Sequence, residues 1–174
     1  MKKLKCIIFG SCLLMLGFAI AQEKPDEELV RHYLEANGSL HQYEFAYDQL
    51  LVMLNGQYAP NEANGDGWQY LKENKDEAIT EMQSLLVPIY QSHFSTSDLT
   101  QMIAFYQTDT GRQMLKDRTQ MSDTQKSELN SYYNTEVGRK IIGKQDILSG
   151  AIGAASENWS RNLYETAVSL LKSE

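Results

Sequence analysis

Asp109-Thr110-Gly111 spells the D-T-G of an aspartic protease, so the first chemistry to weigh is a carboxylate dyad. That mechanism needs two acids about 3 Å apart sharing one proton, held by loops of a β-structure. A near copy, Glu136-Val137-Gly138, follows, but both copies are flanked by residues with helical spacing. The tripeptide therefore reads as part of a helix joint. Metal binding is the second candidate. His41, Glu44 and Asp48 recur at i, i+3 and i+7, and Glu28, His32 and Glu35 at i, i+4 and i+7 on the helix before them. Facing helices so equipped can hold two metals, but di-iron bundles use Glu-x-x-His and here the order is His-x-x-Glu. Both sets also lie off the apolar stripes, as a solvated acidic face would. No cofactor is expected, and His41, Glu44 and Asp48 stand as the metal candidates against that bland reading.

Weaker spellings complete the inventory. The run NEANGDG at 61–67 suggests calcium but lacks the D-x-[DN]-x-[DN]-G spacing and the distal bidentate Glu, so a surface loop is expected. Asn37-Gly38-Ser39 and Asn158-Trp159-Ser160 are glycosylation sequons by spelling, the first in a turn and the second in a helix. Ten tyrosines could line a groove for a ligand, or serve as amphipathic core and boundary residues. No nucleophile motif, P-loop or zinc motif is present.

The elements that would position these residues are helical almost throughout. Leu29, Val30, Tyr33 and Leu34 mark a first helix opened by KPDEE, with Pro25 in the first turn and Asn37-Gly38 at the end. Ser39 can cap a second helix carrying Leu40, Tyr43, Tyr47, Leu50, Leu51 and Leu54, ended by Asn55-Gly56. So short a turn predicts an antiparallel hairpin. After the loop at 59–67, one helix is predicted from Trp68 to about Phe94, kinked by Pro88 near Ser84. A long last helix runs from Arg139, with SGAIGAAS at 149–156 as a narrow face for a neighbouring helix. The expected fold is all-α, a single-domain bundle of about five to seven helices.

The second half repeats itself. FSTSDLTQMIAFYQTDTGRQML aligned on MSDTQKSELNSYYNTEVGRKII keeps Ser95/Ser122, Tyr106/Tyr133, Thr108/Thr135, Gly111/Gly138 and Arg112/Arg139. Ser95 with Asp98, and Ser122 with Gln125, have capping-box spacing, so each starts a helix. Thr108 and Thr135 can cap the next helix, each followed by an acid, Asp109 or Glu136, in the first turn. Phe105 and Tyr106 belong to the buried stripe of the first copy. Gly111 and Gly138 allow either a close backbone approach or a left-handed C-cap. Lys126 and Asn130 replace Leu99 and Ile103, so the first helix of the second copy should be more exposed.

On LTQMIAFYQTDTGRQML, with LLVPIYQSHFS before it and GRKIIGKQDILSGAIGAASENW after it, the chain resembles the exported all-helical bacterial family termed domain of unknown function 2059. Phe105, Tyr106, Thr108, Gly111 and Arg112 match that family's hallmark, while Asp109 stands where Pro is usual. The resemblance covers about 85–159. It implies an all-helical fold and a periplasmic or outer-envelope setting, and it carries no catalytic residues over.

Composition narrows the function classes. Lys2, Lys3 and Lys5, the apolar run Ile7–Phe18 and Ala19-Ile20-Ala21 form a secretory signal over 1–21, too short to span a bilayer. Cleavage after Ala21 leaves one domain over 22–174, periplasmic or secreted and without a transmembrane segment. Cys6 and Cys12 leave with the leader, so no disulfide is expected. Loss of three lysines takes the net charge from −7 to −10, with 13 basic against 23 acidic side chains. That disfavours nucleic acid and anionic membranes as partners. The reading is a non-catalytic interaction or helper module of the envelope, binding a protein not identified by the sequence. The alternative is a small molecule or peptide held in a tyrosine-lined groove. A deep apolar pocket would favour the groove, and an exposed apolar patch of several hundred Å² would favour a protein partner.

Overall fold

The structure, a computed structural model, describes residues 23–172. The leader and cleavage site expected from the sequence, and both cysteines, lie outside these residues. Within them the chain forms eight α-helices and no strand: α1 (Glu27–Ala36), α2 (Ser39–Gln57), α3 (Gly65–Glu73), α4 (Lys75–His93), α5 (Thr96–Tyr106), α6 (Asp109–Asp117), α7 (Asp123–Tyr133) and α8 (Glu136–Leu171), with a 3₁₀ turn at Arg118–Gln120. The all-α single-domain expectation holds, with one helix more than the upper bound.

The extra helix comes from a break at Asn74. The stretch read as one helix from Trp68 divides there into α3 and α4, because Asn74 departs from helical geometry and its side-chain amide donates to Tyr70 O at 2.9 Å. Three punctuation marks also act differently from their spelling. Pro25 precedes Asp26, whose carboxylate caps α1 by accepting from Leu29 N at 2.7 Å, so the proline is outside the helix and fully buried. The α1–α2 turn belongs to Gly38, with φ of 70°, and Asn37 Oδ1 accepts from Ser39 N, so Ser39 is the first helical residue and not a cap. Gly56 is absorbed into α2, which ends at Gln57.

The loop at 59–67 is shorter than its composition suggests. Asn61 and Asn64 turn their side chains onto backbone amides, with Asn64 Oδ1 accepting from Asn61 N at 2.8 Å, and α3 begins at Gly65. Gly67 is then helical and lies against α8, where a Cβ would sit 3.0 Å from the carbonyl carbon of Leu170. This contact helps seal a cluster of Leu54, Trp68, Leu71, Ala167 and Leu171 at one end of the molecule.

The main core joins Val30 and Leu34 of α1, Met82 and Leu86 of α4, Leu99 and Met102 of α5, and Trp159 of α8. Buried rings there are anchored by their polar tips. Trp159 Nε1 donates to Ala78 O at 2.9 Å, and Tyr47 hydroxyl to Leu71 O at 2.6 Å. The 36-residue α8, about 54 Å long, contacts α3, α4, α5 and α7. It starts at Glu136, one turn before the Arg139 expected from periodicity. The glycines of its small-residue run stay open, since a Cβ at Gly150 or Gly153 would meet nothing within 4 Å, while Ile152 and Ala155 of the same run pack against the main core. Ser156 packs as well, its hydroxyl 2.9 Å from that of Tyr43.

Candidate functional site: a tyrosine-lined groove beside the repeated joint

Both copies of the repeated phrase fold into the same joint. Asp98 accepts from Ser95 N at 2.8 Å and Gln125 from Ser122 N at 2.9 Å, while each serine hydroxyl caps the amide three residues on. Thr108 Oγ1 accepts from Gly111 N at 3.0 Å, and Thr135 Oγ1 from Gly138 N at 3.1 Å. The same hydroxyls donate back to Phe105 O and Tyr132 O. A Cβ on Gly111 would lie 2.6 Å from Tyr106 Cα, and one on Gly138 would lie 2.6 Å from Tyr133 Cα. Among the described residues only Gly38 has positive φ, so these glycines serve close approach and not a left-handed cap.

Arg112 and Arg139 add a contact that the spelling did not disclose. Each reaches back over its joint and donates to the carbonyl of the residue closing the previous helix, Gln107 or Asn134. Asp109, the acid of the D-T-G, is exposed on the first turn of α6 and paired with Arg112 at 2.6 Å. Its helical setting is that of a joint, and the β-loops of a protease dyad do not occur among the described residues. Thr110, in contrast, is buried and donates to the Glu128 carboxylate of α7.

The copies meet at equivalent positions. Phe105 and Tyr132 stack face to face, with ring centres 3.9 Å apart and planes at 7°. From there the aromatic cluster continues inward, Tyr106 to Tyr33 at 6.2 Å, Tyr33 to Tyr90 at 5.1 Å, and Tyr90 to Phe94 at 6.1 Å. Burial, then the neighbouring phenols of Tyr106 and Tyr43, pushes the Tyr90 hydroxyl up to about 12. Burial likewise raises Tyr33, Tyr106 and Tyr132, so all four stay protonated at neutral pH. The buried Tyr132 hydroxyl has no hydrogen-bond partner among the described residues.

One side of this cluster is open. Tyr33, Tyr90, Phe94 and Met102, with Ile141, Ile142, Leu148 and Ile152 of α8, line a groove of about 410 Å³. It adjoins a second recess of about 340 Å³ lined by Met121, Lys126, Leu129 and Asn130, and Arg118 and Tyr133 line both. Each volume falls in the ~300–1,000 Å³ range of small-molecule sites. Two larger depressions, of about 560 and 570 Å³, run along single polar helix faces, over Asp26–Glu35 and Asp123–Ser131. With only Leu29 as an aliphatic lining, they offer little to hold an apolar ligand.

Residues 80–124 match the model of a family described as an uncharacterized protein conserved in bacteria (DUF2059). The DUF2059 segment takes in most of α4, all of α5 and α6 and the first joint, including Phe105, Tyr106, Thr108, Gly111 and Arg112. It stops short of the second joint. No curated protein and no solved structure matches the chain.

The metal candidates lie away from the DUF2059 segment. His41 Nδ1 is 3.1 Å from Glu44 Oε2 on the exposed side of α2, while Asp48 is drawn to Lys75 Nζ at 2.7 Å. No group of three or more His, Cys, Asp or Glu side chains able to hold a metal occurs among the described residues. Among the same residues, no helix is long and apolar enough to cross a membrane.

Sequence reasoning missed two further parts of the site. Lys140 Nζ, on α8, donates to Asp98 Oδ2 at 2.6 Å and ties the first capping box to the second copy. Arg118 was unremarked because nothing in its flanks marks it. Its position on the groove depends on the 3₁₀ turn between α6 and α7.

Proposed function

We propose that the protein is a non-catalytic binding module of the bacterial cell envelope, exported by its leader, and that its ligand lies in the tyrosine-lined groove. The observation that carries this reading is the composition of the groove. Rings from α1, α4 and α7 face an aliphatic row on α8, and Arg118, Gln145, Ser149 and the tyrosine hydroxyls supply polar groups that orient what binds. The state of the titratable groups supports a non-catalytic reading. The shifted phenols are all held as neutral hydroxyls, suited to donating hydrogen bonds and not to serving as bases. Asp98, the buried carboxylate, is occupied by Ser95 and Lys140.

A second reading, a protein partner on α2, draws on Phe45 and Val52, which are 65% and 67% exposed and two turns apart. One experiment separates the two. Native mass spectrometry of protein taken from envelope extracts should show a retained small-molecule mass, lost in Ile142→Glu and kept in Phe45→Glu. Both positions are exposed, so both variants should fold. A bare wild-type protein, or a mass indifferent to Ile142→Glu, would remove the groove reading.

A further inference from the structure

We infer that the groove takes a long-chain carboxylate, its head held by Arg118 and its hydrocarbon chain laid along α8 between the tyrosine cluster and the Ile141–Ile152 row. The inference rests on the groove reading above and adds the ligand class.

Charge points to an anion. The chain has 23 acidic side chains and a net charge of −7, yet no carboxylate lines either part of the groove, whose charged residues are Arg118 and Lys126. The other four arginines are engaged: Arg31 with Glu27, Arg112 with Asp109, Arg139 with Asn134 O and Arg161 with Glu157. Among the described residues, the Arg118 guanidinium has no hydrogen-bond or ion-pair partner. The adjacent acid forms no ion pair with it among the described residues: Asp117 Oδ1 faces the 3₁₀ turn, accepting from Thr119 N and Oγ1 at 2.8 and 2.6 Å. Lys126 is held by Asp123 at 3.2 Å, an exposed pair that leaves Arg118 as the stronger anchor.

Shape and hydrogen bonding favour hydrocarbon over peptide. Ile141, Ile142, Gln145, Leu148, Ser149 and Ile152 follow one another at helical spacing along about 16 Å of α8. A helix wall has already paired its backbone amides, so it offers an extended peptide no ladder for its own N–H and C=O groups, only scattered side chains such as Gln145, Ser149, Asn130 and the tyrosine hydroxyls. Leaving those groups unpaired against Ile and Leu is costly. An alkyl chain has none to satisfy, and it covers Ile142, which is otherwise 54% exposed.

The test is calorimetric titration of the mature protein with dodecanoate below its micelle concentration. Binding should be one to one. Shortening the ligand to decanoate and octanoate should weaken it by about threefold to fourfold per methylene, the ratio set by about 0.8 kcal/mol per buried CH₂. Arg118→Gln and Ile142→Glu should each weaken dodecanoate at least tenfold, whereas Phe45→Glu should not. Dodecyltrimethylammonium, with the same chain and the opposite charge, should bind at least tenfold more weakly. Equal binding of the two amphiphiles, indifference to Arg118→Gln, or tighter binding of a short apolar peptide would overturn the inference. If no carboxylate binds but the retained mass still disappears in Ile142→Glu, the groove reading stands and the ligand class falls.

Discussion

The two copies of the joint share a backbone device and differ in what surrounds it. In both, a capping box opens the first helix, a threonine caps the second, a glycine admits the preceding backbone and an arginine closes the carbonyl behind it. Around that frame, α5 buries Leu99, Met102, Ile103 and Phe105, whereas α7 buries Leu129 alone. The positions of Leu99 and Ile103 are taken in α7 by Lys126 and Asn130, which line the smaller recess of the groove. The first copy therefore serves the core, and the second has exchanged core contacts for a polar edge on an apolar groove. What is common to the repeat is structural, and the candidate function lies where the copies diverge.

Exchanging the divergent residues gives the largest expected contrast. Leu99 is fully buried, so Leu99→Lys places an unpaired charge in the core and should cost more than about 4 kcal/mol, enough to abolish folding in many domains. The reciprocal Lys126→Leu, at an exposed site, should stay within about 0.5 kcal/mol. Circular dichroism melts of the two proteins decide it, and similar losses in both would mean that α5 and α7 are not differently loaded.

The capping boxes come next. Asp98 receives Ser95 and Lys140 at a buried site, while Gln125 receives only Ser122 N at an exposed one. Asp98→Ala strands Lys140 and should cost about 2–4 kcal/mol, below the 3–5 of a fully buried pair because Lys140 keeps some solvent. Gln125→Ala should cost about 0.5–1 kcal/mol. Burial alone would raise the Asp98 pKa, but the hydrogen bonds from Lys140 and Ser95 outweigh it and hold the carboxyl below its usual value of 3.8. Its contribution is thus fully present above that value and lost as pH falls through the lower folded value. Urea midpoints between pH 6 and pH 2 should fall less steeply in Asp98→Asn than in the wild type, with Gln125→Glu as the exposed comparison.

The glycines test what the copies have in common. Gly111→Ala and Gly138→Ala each drive a Cβ into the last turn of the preceding helix, and each should cost about 1–3 kcal/mol. The two losses should agree within about 1 kcal/mol, since the obstructing atoms are equivalent, Tyr106 Cα and Tyr133 Cα. Denaturant midpoints measure both, and a large inequality would show that one joint can open.

What the sequence disclosed and what it hid divide along the range of the interaction. Capping boxes at Ser95 and Ser122 and threonine caps at 108 and 135 were legible because each is a side chain reaching an amide three residues away. The Asp98–Lys140 pair and the Phe105–Tyr132 stack join residues 42 and 27 positions apart, and no local spacing encodes them. Glycine had two readings at 111 and 138 until backbone angles separated them. The break at Asn74 was missed because the apolar period resumes on the same face at once, and Gly56 was misread because α2 continues through it. Ten tyrosines allowed a groove, but Arg118 joined it only through the turn that follows α6.

The smallest expected effect is also the sharpest check on the shared frame. Arg112 and Arg139 stand at equivalent positions and donate to equivalent carbonyls, but Arg112 also pairs with Asp109, while Arg139 has no ion pair among the described residues. Both guanidiniums are largely solvated, so the ion pair should add little to the carbonyl contact. Arg112→Ala and Arg139→Ala should then each cost about 0.5–1.5 kcal/mol, the worth of one hydrogen bond to a helix end. Asp109→Asn should change stability by less than either. Should Arg112→Ala cost clearly more than Arg139→Ala, and Asp109→Asn account for the excess, the first joint would owe its strength to charge. The likeness of the two copies would then be one of backbone alone.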